Sequence, residues 1–141
     1  MDFWILYALL SAVFAALVAI FGKIGLQNID STLATTVRAF AMAAFLFFVS
    51  LSLGKLNLIG TIKSKTLTFI ILSGIAGAIS WLFYFLALKT GITSGVAALD
   101  RLSVVFVVIF SILFLGETFN LYTAVGALLI TIGAMLMIIK K

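Results

Sequence analysis

The chain has 141 residues, 65% of them hydrophobic and only 9% charged, with a mean hydropathy of +1.41 and a formal charge of +5. A soluble domain carries about a quarter of its residues as charges, so water is excluded as the main solvent and a lipid bilayer takes its place. Cys, His and Pro are absent, which removes disulfides, thiolate and imidazole chemistry, and the usual helix breaker. Nucleic acid is excluded as a partner, because the basic residues stand between apolar runs, as the flanks of membrane spans do.

Five runs are long and apolar enough to cross a bilayer, which takes roughly 20 residues each. The first covers about 3–22 and ends at Lys23. It is too long for a signal-peptide core and follows Asp2 rather than a basic cluster, so it is expected to remain as a span. It carries Ala8, Ala12 and Ala16 four apart, and Trp4, Tyr7, Ser11 and Ala15 share a helical face. The second run, about 32–53, contains Arg38. The segment from Gly54 to Thr66 holds Lys55, Lys63 and Lys65 among Leu56, Leu58, Ile59 and Ile62, a pattern expected to lie on the membrane surface. The third run, about 67–88, ends at Lys89 and carries Gly74, Gly77 and Ala78. Ser73, Gly77, Ser80 and Tyr84 share a face, with Trp81 at its edge. The fourth run, about 95–115, contains Asp100 and Arg101, with Asp100, Ser103 and Ser111 expected on one face of a single helix. The fifth, about 121–139, carries Gly126 and Gly133 and ends at Lys140 and Lys141.

The expected fold is therefore an all-α integral membrane bundle of five transmembrane helices, one domain over residues 1–141, with the bilayer as its first partner. Small residues at helical spacing let helices approach closely in lipid, and Gly126 and Gly133 are the candidates for a contact between subunits. A charge at mid-membrane costs roughly 2.5–3.5 kcal/mol on insertion scales, so Arg38 and Asp100 must face protein or water. Their helices start on the same side, which puts both at a depth of about 9 Å, where an Arg38–Asp100 ion pair is expected. The polar faces suit a solute pathway at a helix interface: Tyr7, Ser11, Arg38, Ser80, Trp81, Tyr84, Asp100 and Ser103 are its expected lining. The blander reading stays open beside it, with serines bonding their own backbone and Trp4 in an interfacial belt.

Catalysis is not expected. The carboxylates other than Asp100 lie at helix ends or in loops, so a two-aspartate mechanism lacks its second buried group, and no motif supports a Ser–Lys pair. No metal and no cofactor are expected either, since four scattered carboxylates without imidazole or thiolate make a poor ligand set.

The stretch Ser80-Trp81-Leu82-Phe83-Tyr84-Phe85-Leu86-Ala87-Leu88-Lys89-Thr90-Gly91 resembles the third helix of an EamA domain of the drug/metabolite transporter superfamily. Val96-Ala97-Ala98-Leu99-Asp100-Arg101-Leu102-Ser103-Val104-Val105, running on to Leu115-Gly116-Glu117, resembles the fourth helix, and Ala124 to Gly133 the fifth. Lys23 and Arg38 stand where such domains often carry basic residues. The resemblance covers the whole chain. It departs at Ala98, where the family commonly has Pro, which leaves open how the fourth helix bends. The resemblance implies one EamA unit, half of a ten-helix transporter, with helices 1, 3 and 4 around a central cavity and a second unit needed to complete the pathway. The expected function is a small-solute membrane transporter of the cell membrane, a multi-pass protein working as a dimer by alternating access. The alternative is a non-transporting subunit that stabilises or regulates another membrane protein. The basic residues near one side hint at an anionic or zwitterionic solute.

An odd number of spans puts the two ends on opposite sides. Lys55, Lys63 and Lys65 then share the N-terminal side, and Lys23, Arg38, Lys89, Arg101, Lys140 and Lys141 the other. With Arg38 and Arg101 set aside as intrahelical, the two sides nearly balance, and a firm orientation normally shows a clear excess in cytoplasmic loops. The near-balance points to an antiparallel homodimer that rebuilds an inverted repeat. The raw count favours the rival, a single orientation with the C-terminal side in the cytoplasm.

Overall fold

A computed structural model describes residues 3–118 and 120–139, and all their regular structure is helical. Helix α1 spans Phe3–Gly25, α2 Ser31–Ser52, a 3-10 helix Lys55–Thr61, α3 Ser64–Thr90, α4 Thr93–Asp100, α5 Ser103–Phe110, a π-helical turn Ser111–Leu115, and α6 Leu121–Ile138. Five segments are long and apolar enough to cross a bilayer: α1, α2, α3, the run Thr93–Leu115, and α6. The five expected spans are thus present, with α1 running three residues beyond its expected end and α3 longer at both ends. Asp2, Lys140 and Lys141, which entered the reading of the ends, lie outside the described residues. Few large side chains are buried, and most Leu, Ile, Val and Phe along every span are exposed. In lipid that exposure carries no penalty, since the tails are as apolar as the side chains.

The chain forms two compact units, Met1–Lys23 with Thr90–Lys141, and Ile24–Lys89. In the first, α6 packs on α4 and α5. Small residues make this approach: Gly95, Ala98 and Ala134 are buried, and a Cβ on Gly95 would stand 3.2 Å from Ile138 Cγ2. The Lys23 ammonium donates to the Gly91 carbonyl at 2.9 Å, fixing the end of α1 to the loop before α4.

The fourth span is not the single helix that the sequence reading expects. Between Ala98 and Val105 the hydrogen bonds shift to three-residue spacing: Arg101 N to Ala98 O at 3.1 Å, Leu102 N to Leu99 O at 2.9 Å, Val104 N to Arg101 O at 3.1 Å and Val105 N to Leu102 O at 2.9 Å. This tighter winding advances each residue by about 120° rather than about 100°, so the face drawn through Asp100, Ser103 and Ser111 is not maintained. Asp100 closes α4 and Ser103 opens α5, both exposed, while Ser111 is buried and its hydroxyl donates to Val108 O at 3.1 Å. The regular α-helix is therefore interrupted without proline. It ends at Gly116, whose φ of +68° suits glycine, and Glu117 N returns to Ser111 O at 3.3 Å.

In the second unit Asp30 caps α2: its carboxylate accepts from the Thr32 and Leu33 amides at 2.9 and 3.0 Å. The Lys89 ammonium, at the end of α3, donates to Ile29 O at 3.1 Å, which ties the two helices at the same end. At the other end Gly54, with φ +64°, turns the chain out of α2 into the 3-10 helix. Leu58, Ile59 and Ile62 are exposed there, beside Lys55 and Lys63, the amphipathic composition of a segment lying at a bilayer surface.

Candidate functional site

Within the second unit α2 and α3 stand apart along part of their length and flank an open groove of about 810 Å³. Its α2 wall includes Thr35, Arg38, Ala39, Met42, Ala43 and Leu46, and its α3 wall Gly74, Gly77, Ala78, Trp81 and Leu82. The space exists because the facing positions are small. A Cβ on Gly74 or Gly77 would meet nothing within 4 Å among the described residues. These glycines therefore make room rather than the close helix contact that their spacing predicts.

Arg38 marks the charged end of this groove. Its guanidinium carbon lies 3.5 Å from the centre of the Trp81 ring and 5.5 Å from that of Phe85. Trp81, Tyr84 and Phe85 follow the three- and four-residue spacing that stacks side chains on one face of a helix. Trp81 meets Tyr84 edge-on at 5.3 Å and Phe85 at 6.0 Å. Aromatic faces attract a cation by their quadrupole, by about 2 kcal/mol or more where water is excluded. This offsets part of the cost of holding Arg38 about 10 Å inside the span. The hydroxyls of Thr35 and Thr36 beside it donate to their own helix, to Ser31 O at 2.8 Å and Thr32 O at 2.9 Å. Arg38 is thus the one charge in a wall that is otherwise mostly apolar.

Of the expected pathway residues, the structure brings Arg38 and Trp81 into the groove, with Tyr84 against Trp81. Ser80 is exposed on α3 and does not line the groove. Tyr7, Ser11, Asp100 and Ser103 belong to the first unit and are exposed. Arg38 and Asp100 fall in different units, and their ion pair remains a proposal. Gly126 is half-buried and Gly133 exposed, each with open space where a Cβ would stand. Beyond Arg38, sequence reasoning missed the contribution of α2, although Ala39 and Ala43 stand four apart there, and it missed Phe85, four residues after Trp81. A smaller cavity of about 220 Å³ lies where α5 and its π-helical turn meet the start of α6. Ser111, Glu117, Asn120 and Thr123 line it, and no expected pathway residue does.

Outside the spans, the Asp30 carboxyl is held below its ordinary value of 3.8. The Leu33 amide is the main cause, with the Thr32 amide and the nearby Lys89 charge adding to it. No group of three or more carboxylates that could hold a metal ion occurs among the described residues.

A family model, the EamA-like transporter family, matches residues 2–139. A curated relative from Sinorhizobium sp., "Uncharacterized transporter in cobO 3'region", is 43% identical over 134 residues, covering 95% of each chain. No solved structure matches the chain.

Proposed function

The chain belongs to the EamA-like transporter family, and from that premise we propose that it is a secondary transporter or exporter of a small polar metabolite in the cell membrane, working as a homodimer by alternating access. The observation that carries this reading is the extent of the match: one five-span unit, residues 2–139, accounts for the family's domain. A binding site between helices then needs a lining other than lipid. Arg38 on its aromatic face supplies a charge within the span, about one helical turn short of its midpoint, near the level where transporters bind their solutes. Tyr7, Ser11, Ser80, Tyr84, Asp100 and Ser103 are proposed as the remaining lining of the solute pathway, and Gly126 and Gly133 as the subunit contact. Asp100 is proposed as the counter-charge of Arg38 within one subunit while the site is empty, giving way to the solute when the site fills. No step of this activity makes or breaks a covalent bond in the solute.

The test is reconstitution of the purified protein into vesicles, with uptake of a panel of labelled carboxylates and amino acids and the mass of the detergent-solubilised particle. Saturable, protein-dependent uptake by a two-chain particle is expected. A particle that moves no member of the panel, and is found bound to another membrane protein, assigns the chain to the rival role of stabilising subunit.

A further inference from the structure

We infer that the α2–α3 groove is the binding site for a small organic monoanion, a single carboxylate carried on an apolar body. This deepens the transporter reading and rests on it. Three features of the groove select that chemistry. The first is charge: Arg38 is the one charged residue in the lining, and it stands at one end. The second is its posture. The guanidinium carbon stands over the indole, 3.5 Å from the ring centre, and a guanidinium held by its face against a ring leaves its N–H edges for other partners. Those edges are the part that grips a carboxylate with two parallel hydrogen bonds. Among the described residues of its own unit, the guanidinium lies against the Trp81 and Phe85 rings, within electrostatic reach of Tyr84, and no carboxylate pairs with it.

The third feature is the rest of the wall. From Ala39 and Ala43 across to Gly74, Gly77 and Ala78, the groove's side chains carry no polar group. A second charge or a sugar hydroxyl placed there would lose its water without gaining a partner, which costs several kcal/mol on transfer scales. A dicarboxylate or a polyol is therefore disfavoured, and an aliphatic or aromatic body is favoured. The volume of about 810 Å³ falls in the range of about 300–1,000 Å³ usual for small-molecule sites. The open space above Gly74 and Gly77 gives a flat ring or a short branched chain a floor without side chains. An acyl chain of the bilayer, or a helix of a second copy, would fill the apolar part but bring no carboxylate to the fork.

The test uses Trp81 as its own reporter. The chain has two tryptophans, so the Trp4→Phe protein, held in nanodiscs of zwitterionic phosphatidylcholine, leaves Trp81 as the sole indole signal. Three probes separate the terms: phenylacetate, an anion with an apolar body; phenethylammonium, the same body with a positive charge; and acetate, the anion without the body. A saturable change in Trp81 emission is expected with phenylacetate, with the other two at least tenfold weaker. Arg38→Gln is expected to reduce phenylacetate affinity at least tenfold and to remove the preference over phenethylammonium. Gly77→Leu puts a side chain into the groove where a Cβ meets nothing within 4 Å among the described residues; with an unchanged melting temperature as the check on its fold, it too is expected to weaken phenylacetate at least tenfold. Equal affinity for phenethylammonium, no saturable response, or full affinity in the Gly77→Leu protein overturns the inference. So does loss of phenylacetate binding when phosphatidylglycerol replaces phosphatidylcholine, because the occupant is then an anionic lipid. These are binding measurements: phenylacetate bound without flux defeats the transporter reading alone, and flux of other solutes without phenylacetate binding defeats this inference alone.

Discussion

Arg38 shows what a single residue reveals in a sequence of this kind and what it hides. A charge inside an apolar run is conspicuous, because its cost in lipid demands a partner. The partner found for it is an aromatic face at 3.5 Å rather than a carboxylate in the same unit. Trp81 is equally visible in the sequence, but its contact with Arg38 is not, since helical periodicity gives the face of each helix and not the register between two. Phe85 is hidden for another reason: one more phenylalanine in an apolar span carries no signal until Arg38 is seen beside it at 5.5 Å. Replacing Arg38 by Gln and Trp81 by Leu, singly and together, is expected to show a coupling of about 0.5–2 kcal/mol. Unfolding of the detergent-solubilised protein measures it, and strictly additive losses would contradict the stack. Asp30 gives a second expectation at this scale. Its folded-state pKa lies below the unfolded value of 3.8, so its stabilising effect is complete above that value and is lost as the pH falls through the folded pKa. Between pH 5 and pH 3 the melting temperature of the wild type should fall more than that of Asp30→Asn, which keeps a capping side chain and does not titrate. Parallel curves would remove Asp30 from the acid response.

At the scale of the element, composition located every span, because a run of about 18 or more apolar residues finds few stable settings besides the core of a bilayer. What it does not show is how a helix deforms. The fourth span has no proline and only Gly95 near its start, so nothing in it announces the three-residue hydrogen bonds at Arg101 and Leu102. The left-handed Gly116, by contrast, is signalled by its place after Leu115 at the end of an apolar run. Glycine spacing likewise does not separate glycines that admit a neighbouring helix from those that leave a void. Gly95 is the first kind, with Ile138 against it, and Gly74 the second. Gly95→Leu is therefore expected to lose about 1–3 kcal/mol through overpacking of α4 on α6. Gly74→Ala is expected to be neutral or to gain up to about 1 kcal/mol from helix propensity. Thermal unfolding compares them, and an equal loss at both positions would mean that α3 is closely packed at Gly74 after all.

For the whole molecule, the five spans follow from the sequence and the two compact units do not. Orientation rests on charges that are few and nearly balanced, with Lys23 and Lys89 spent on the carbonyls of Gly91 and Ile29 and Lys140 and Lys141 outside the described residues. We propose antiparallel insertion of two copies on that balance. Reporter fusions at the C-terminus are expected to be active on both sides of the membrane. Activity on one side only, with parallel pairs alone in cross-linking, would replace the antiparallel dimer by a single orientation.

Counterflow tests the central claim, alternating access to a bound solute, most directly. Vesicles containing the purified protein are loaded with an unlabelled substrate found in the uptake panel and diluted into a trace of the labelled compound. A carrier that alternates between two faces exchanges one for the other, so labelled solute should rise transiently above its equilibrium level inside and then decay. A smooth approach to equilibrium with no overshoot would indicate a pore, and no uptake beyond protein-free vesicles would indicate a subunit that does not transport. Either result contradicts alternating access.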